Sequence, residues 1–155
     1  MPHVVSIVYT PPDVDRKPSD WYARVAVNRA LLVAGHGVEG DLKGGGQRQL
    51  NIMRAEALAE LGAEGRKVGP GEMGEQLVIT GLDLTAYVEG TRLRLGASAV
   101  IEIGIPRTGC ARFEYIQGTT KKDVAGRLGV LARVVESGEV AVGDAVYLSS
   151  TRGTT

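Results

Sequence analysis

The chain has one cysteine, Cys110, in the stretch Ile105-Pro-Arg-Thr-Gly-Cys-Ala-Arg-Phe113, where a strand is expected to end in a tight turn between two arginines. A solitary sulfur forms no internal disulfide and supplies no CxxC metal site or redox pair. Three roles remain: a small buried hydrophobe, a reactive thiolate, or one ligand to something held mainly by other groups. Free cysteine is among the most often buried residue types, which favours the first role. Arg107, Arg112 and a short helix opening at Ala111 favour the other two, because positive charge and a helix N-terminus stabilise thiolate over thiol.

Three further stretches hold residue types that can do chemistry. Gly35-His-Gly-Val-Glu-Gly-Asp-Leu-Lys-Gly-Gly-Gly46 combines six glycines with His36, Asp41 and Lys43. Successive backbone N–H groups in such a loop can cradle an anion. There is no GxxxxGK[ST], however, and the GxGxxG at Gly35, Gly37 and Gly40 lacks the βαβ setting that gives the pattern meaning. A long turn needing positive φ explains the same glycines. His36 is a candidate base for Cys110, with Asp41 orienting it. A solvent-exposed loop histidine is the competing reading, and His3 has still less to suggest a role.

Gly69-Pro-Gly-Glu-Met-Gly-Glu-Gln-Leu77 sets Glu72 and Glu75 three residues apart. Paired carboxylates suit acid–base work, but glutamates in a Gly-rich loop more often cap backbone N–H groups, and capping is the favoured reading. Val140-Ala-Val-Gly-Asp144 is the last stretch, ending in a turn signal. Two histidines, one cysteine and scattered carboxylates give no zinc-ligand spacing.

The elements that must hold these residues are mostly strands. Short Val/Ile/Leu runs punctuated by 22 glycines point to a barrel or sandwich. Strands are expected at 3–9, within 22–33 as one strand or a pair, and at 47–53, 75–80, 92–95, 99–104, 130–136 and 145–148. The segment 10–19 is a proline-rich loop. Six glycines in twelve residues exclude a regular element at 35–46. Arg54 to Leu61 reads as a helix with Leu58 and Leu61 on one face, ending at Gly62, and 123–128 as a second, short helix. Ser137-Gly138 and 142–144 are turns, and 151–155 is a flexible tail. No repeat or linker divides the chain, so residues 1–150 read as a single domain.

With 155 residues, one core can bury roughly 70% of the unfolded chain's surface. The 18 basic and 18 acidic residues cancel, which argues against nucleic acid or an anionic membrane as a bulk electrostatic partner. Arginine outnumbers lysine 13 to 5; its planar fork suits oxyanions, although a GC-rich genome explains the excess as well. Residues 1–9 lack the pattern of a secretory signal, and no apolar run reaches the roughly 18 residues of a membrane span. A cytoplasmic protein is expected, consistent with the single cysteine.

Taken in order, these segments resemble the MOSC domain, the family named for the C-terminal domain of molybdenum cofactor sulfurases. The resemblance runs from about residue 24 to 149 through Gly37-Val-Glu-Gly-Asp41, Gln49 to Leu61 with Glu56, and Gly69 to Leu77. It continues through Gly81-Leu-Asp-Leu84, Gly90-Thr-Arg-Leu-Arg-Leu-Gly96 and Pro106-Arg-Thr-Gly-Cys110 to Gly129-Val-Leu-Ala-Arg133 and Gly138 to Asp144. Two positions depart from the family pattern: Gln76 stands where many members have asparagine, and Gly109 where many have proline. The loop at Leu42-Lys43-Gly44 also lacks a histidine that often follows the aspartate.

The resemblance implies a mainly β fold, a mostly antiparallel β-barrel of MOSC or pyruvate-kinase-barrel type with a few short helices. It also implies that Cys110 is the functional residue, carrying sulfur as a persulfide or ligating molybdenum in a pterin cofactor. Cofactor contacts would fall to Arg107, Arg112, His36, Asp41, Arg48 and Glu75. The chain has no room for the pyridoxal-phosphate desulfurase domain of the fused sulfurases, so pyridoxal phosphate is not expected in this chain alone. Sulfur would come from a partner cysteine desulfurase, or electrons from partner proteins if the cofactor reduces N-hydroxylated compounds. A third reading is a non-enzymatic module that binds cofactor or partner and uses Cys110 only for packing. Each of these is compatible with an oligomer.

Overall fold

The computed structural model describes residues 1–12, 24–42, 44–46 and 49–150. Much of the expected proline-rich loop, Tyr22, Lys43, Gln47, Arg48 and the tail from Thr151 lie outside them. Among the described residues the fold is mainly β. The strands are β1 (His3–Tyr9), β2 (Val25–Val27), β3 (Arg29–Val33), β4 (Gly37–Val38), β5 (Leu50–Arg54), β6 (Leu77–Thr80), β7 (Arg92–Leu95), β8 (Ala99–Pro106), β9 (Val130–Glu136), β10 (Gly138–Ala141) and β11 (Val146–Ser150). Two helices, α1 (Ala55–Ala63) and α2 (Ala111–Gln117), and 3-10 turns at Leu84–Ala86 and Lys121–Val124 accompany them.

Eight strands pair in the order β11-β7-β8-β9-β5-β6-β1-β2, and β10-β3-β4 form a smaller sheet. The pairings are antiparallel except β5 with β6, which are parallel and joined through α1, the crossover that a parallel pair requires. Among the described residues no ladder joins β11 to β2. A single antiparallel bridge, His3 with Ala145, instead ties the start of β1 to the entry of β11. Val4 N–H donates to Asp144 O at 2.9 Å and Val146 N–H to Pro2 O at 3.0 Å beside it.

Two apolar clusters explain why consecutive residues of β5 and β6, Ile52-Met53 and Leu77 to Ile79, are apolar. Ile52, Leu77 and Ile79 face the main core between the sheets, with Val4, Ile7, Leu93, Ile101, Ile103 and Val134 among its members. Their sequence neighbours Met53 and Val78 point the other way, into a second cluster with Leu58, Leu61, Met73, Phe113, Val124 and Leu128. Both faces of the parallel pair are therefore covered, as is usual for parallel strands.

Several boundaries differ from the sequence expectation, each for a physical reason. Helix α1 runs through Gly62, because that glycine answers a packing need: a Cβ there would approach Val68 Cγ2 to 2.9 Å. The left-handed glycine that ends the helix is Gly65, at φ 96°, with Gly65 N–H donating to Gly62 O and Arg66 N–H to Leu61 O. The Gly-rich stretch contains a two-residue strand, β4, paired with β3. Gly138, expected in a turn, opens β10, which pairs with β3. The expected helix at 123–128 is only the 3-10 turn Lys121–Val124.

Candidate functional site around Cys110

Strand β8 carries the chain out of the core toward the thiol. Its partners β7 and β9 hold it on both sides, and its register with β9 shifts between Ile103 and Pro106, so the last residues swing away while Pro106 still pairs with Val130. Ile105 and Pro106 are exposed. Arg107 N–H then donates to Gly129 O at 2.9 Å, the last backbone tie before the turn.

Cys110 is the N-cap of α2, with extended backbone at φ −128° and ψ 177°. Its carbonyl accepts from Glu114 N–H at 3.0 Å, but its side chain makes no capping bond and the residue is exposed. Exposure removes the buried-hydrophobe reading. Helix α2 has seven residues and stops at Gly118, in the left-handed conformation at φ 65°. It is anchored by Phe113, which is fully buried; burying such a side chain contributes roughly 1.5–3 kcal/mol. At its far end Gln117 bridges to the chain before the Glu72 loop, donating to Lys67 O and Glu72 O and accepting from Lys67 N–H, each at 2.9 Å.

Arg107 points inward. It is buried, donates through Nη2 to Met73 O at 2.6 Å, and lies over the Phe113 ring at 5.9 Å from its centroid. Met73 belongs to the 69–76 loop, which its two glutamates organise. Glu72 Oε2 accepts from Gly69 N–H at 2.7 Å, while the fully buried Glu75 accepts from Gly71 N–H at 2.8 Å and Met73 N–H at 3.1 Å. Both carboxylates therefore cap backbone donors. Burial holds the Glu75 carboxyl above the usual carboxylate range, against the opposing pull of Gly71 N–H and the charges of Arg24 and Arg107.

Asp41 is also buried and joins distant segments. Its Oδ1 accepts from Thr10 N–H at 3.1 Å, and its Oδ2 from Gln76 Nε2 at 3.2 Å. Gln76 in turn accepts from Asn51 N–H at 2.7 Å and gives its own N–H to Asn51 O at 2.9 Å. The longer amide in place of asparagine thus spans from β5 to the Gly-rich loop. A connected path results: Asp41 to Gln76, along the chain to Glu75, through Met73 to Arg107, and three residues on to Cys110. His36 is half-buried, and its ring lies so close against Gly44 that a Cβ there would overlap it. Arg112 stands in the first turn of α2, and Arg48 lies outside the described residues.

Two clefts border the strand and turn that lead to the thiol. One, of about 410 Å³, is walled by Pro106, Arg107, Thr108 and Gly109 on one side and Lys122 and Leu128 on the other. The second, of about 580 Å³, lies between Gly46 and Gln49, the Glu89–Gly90 turn, and β8 and β9 around Ile105 and Leu131. Among the described residues no group of three His, Cys, Asp or Glu side chains could hold a metal ion by itself.

A family profile described as the MOSC domain matches residues 39–147, well over half of the chain. The chain belongs to the MOSC family. Solved structures with the same fold include YiiM from Escherichia coli, 23% identical with a TM-score of 0.72, matching 100% of this chain and 73% of that one. YiiM from Geobacillus stearothermophilus is 19% identical with a TM-score of 0.75, over 97% and 76% of the two chains. YuaD protein from Bacillus subtilis is 21% identical with a TM-score of 0.71, over 98% of each. At these identities the likeness is one of fold. No curated protein matches the chain.

MOSC domains are associated with molybdenum-cofactor-related function. The donor set around Cys110 fits such a group. A metal that brings its own ligands in an organic cofactor needs only one soft protein donor, and Cys110 is an exposed thiol that follows directly on the cleft-lining residues 106–109. The anchors Phe113, Met73 and Gln117 were not anticipated from the sequence. A signal for the first was available, since Phe113 is the only phenylalanine and follows the cysteine by three residues.

Proposed function

We propose that this MOSC protein is a sulfur carrier that holds a persulfide on Cys110 and delivers it in molybdenum-cofactor chemistry. The observation that carries the reading is the state of Cys110: the only thiol of the chain is exposed at a helix N-cap where its side chain caps nothing. A cysteine kept for packing would be buried, and an N-cap kept for stability would be Ser, Thr, Asp or Asn.

The chemistry needs no external oxidant. The Cys110 thiolate attacks the outer sulfur of a persulfide on a partner cysteine desulfurase, a new S–S bond forms, and the partner's thiolate leaves. The same exchange onto an acceptor nucleophile regenerates the Cys110 thiolate. Pro106, Arg107, Thr108 and Gly109, the residues leading to Cys110, form one wall of the cleft, and Lys122 in its lining offers a cation to an anionic acceptor. Arg107, Asp41 and Glu75 act in this reading from beneath, through the hydrogen-bonded path to the turn. A reducing, cytoplasmic setting suits a carrier that must return to the thiol.

Intact-mass measurement after incubation with a cysteine desulfurase, pyridoxal phosphate and cysteine is expected to show one added sulfur, removed by dithiothreitol and absent in Cys110→Ala. An unmodified mass in the wild type would overturn the reading. The cleft lined by the turn before Cys110 favours a second reading, in which Cys110 is the protein ligand to molybdenum in a reductase of N-hydroxylated compounds. When bound, the cofactor would supply a redox-active metal, while this chain would contribute the thiolate and the cleft. Molybdenum analysis of protein from a cofactor-competent host, wild type against Cys110→Ala, separates the two.

A further inference from the structure

We propose that Arg107 is a positioning residue for Cys110, clamping the loop on both sides of the sulfur through its inward guanidinium. The inference rests on the reading above that Cys110 is the working residue. Arg107 precedes the cysteine by three residues and Phe113 follows it by three, and the guanidinium of the first lies over the ring of the second. The turn and first residues of α2 are therefore bracketed by one contact.

That contact is fixed from below. Met73 O accepts from Arg107 Nη2 at 2.6 Å, and Nη1 points at Met53 Sδ, 4.0 Å away on β5. Met73 is held by Glu75, whose two oxygens take the N–H groups of Met73 and Gly71. Arg107 N–H is tied to Gly129 O, where β9 begins. A buried cation without compensation is costly. Here compensating groups, Met73 O and the Glu75 carboxylate behind it among them, lie in the interior, and their attraction offsets the cost of holding the guanidinium there, away from the solvent that Cys110 faces. Position is what these contacts provide.

Positioning and direct action on the sulfur differ in what they disturb. Alkylation by neutral iodoacetamide asks only that the thiol be reachable, whereas exchange with a desulfurase persulfide needs aligned sulfurs. Arg107→Met and Phe113→Leu are each expected to keep the wild-type alkylation rate while sulfur uptake falls roughly tenfold to a hundredfold. The double variant is expected to lose no more than the worse single, since both remove one contact. Arg107→Lys, which keeps the charge and loses the planar fork, is expected not to restore uptake.

Slowed alkylation in Arg107→Met with full recovery in Arg107→Lys, or normal uptake in Phe113→Leu, would overturn the proposal. Hydrogen exchange on the wild-type protein gives an arm that needs no variant. The Arg107 and Glu114 amides are expected to open together with those of Gly71 and Met73 as one unit. Independent opening of Glu114 would count as refutation. If the amides open together but no sulfur is taken up by the wild type, the carrier reading fails and the clamp stands.

Discussion

Cys110 occupies a position where its own side chain does less for the fold than a common alternative would. An N-cap serine accepts a bond from an N–H of the first turn, and such caps contribute about 0.5–2 kcal/mol relative to alanine. Cys110→Ser is therefore expected to melt above Cys110→Ala, and at or above the wild type, by calorimetry, while neither variant takes up sulfur. Glu75 is the opposite case, a side chain the fold cannot spare. Its two oxygens serve two separate N–H donors. Glutamine offers one oxygen and sets an NH2 against the other donor, so Glu75→Gln is expected to cost about 1–3 kcal/mol in urea unfolding. The loss should also reach Cys110, because Met73 would no longer be held under Arg107.

At the scale of elements, β8, the turn and α2 form a lever whose fulcrum is Gly129. That residue has φ 80°, and a Cβ there would overlap the Ile52 carbonyl oxygen. Gly129→Ala is expected to destabilise by roughly 2–4 kcal/mol, from overpacking and positive φ together. Amide exchange at Arg107 should rise as its acceptor moves. Much of this architecture was legible in the sequence: β1, β7 and β9 follow their Val, Ile and Leu runs to the residue, and the thiol's turn was anticipated between a strand and a helix at Ala111. The rest depends on partners distant along the chain. Gly62 looked like a helix end because a glycine selected by Val68 has the same letter as one selected by positive φ. Strand β10 was hidden because Gly138 resembles a turn until β3 lies beside it. Likewise, the inward path of Arg107 depends on Met73, 34 residues away, so an arginine beside a cysteine suggested a charge at the sulfur instead.

For the whole molecule, acid stability depends on carboxylates of two kinds. The Thr80 hydroxyl and then Gly81 N–H hold the Glu56 carboxyl below the usual range; Arg127 and Arg66 do the same for Glu64, and Thr85 for Asp83. Groups lowered in this way contribute stability above their unfolded values and lose it as pH falls through the folded ones. Glu75, raised by burial, has the opposite sign, and its contribution is lost as pH rises through its folded value. The urea midpoint is thus expected to fall on the acid side of the carboxyl range. Glu56→Gln, which leaves an oxygen for both Thr80 and Gly81, should make that limb shallower. The same whole-molecule view bears on the lone sulfur. Since the sequence holds no second thiol and Cys110 stands in solvent after an anchored strand, the unaltered protein carries its own single thiol attachment point. A fluorophore or spin label placed there needs no engineered cysteine, and it would sit at the mouth of α2, reporting on any molecule that approaches that turn.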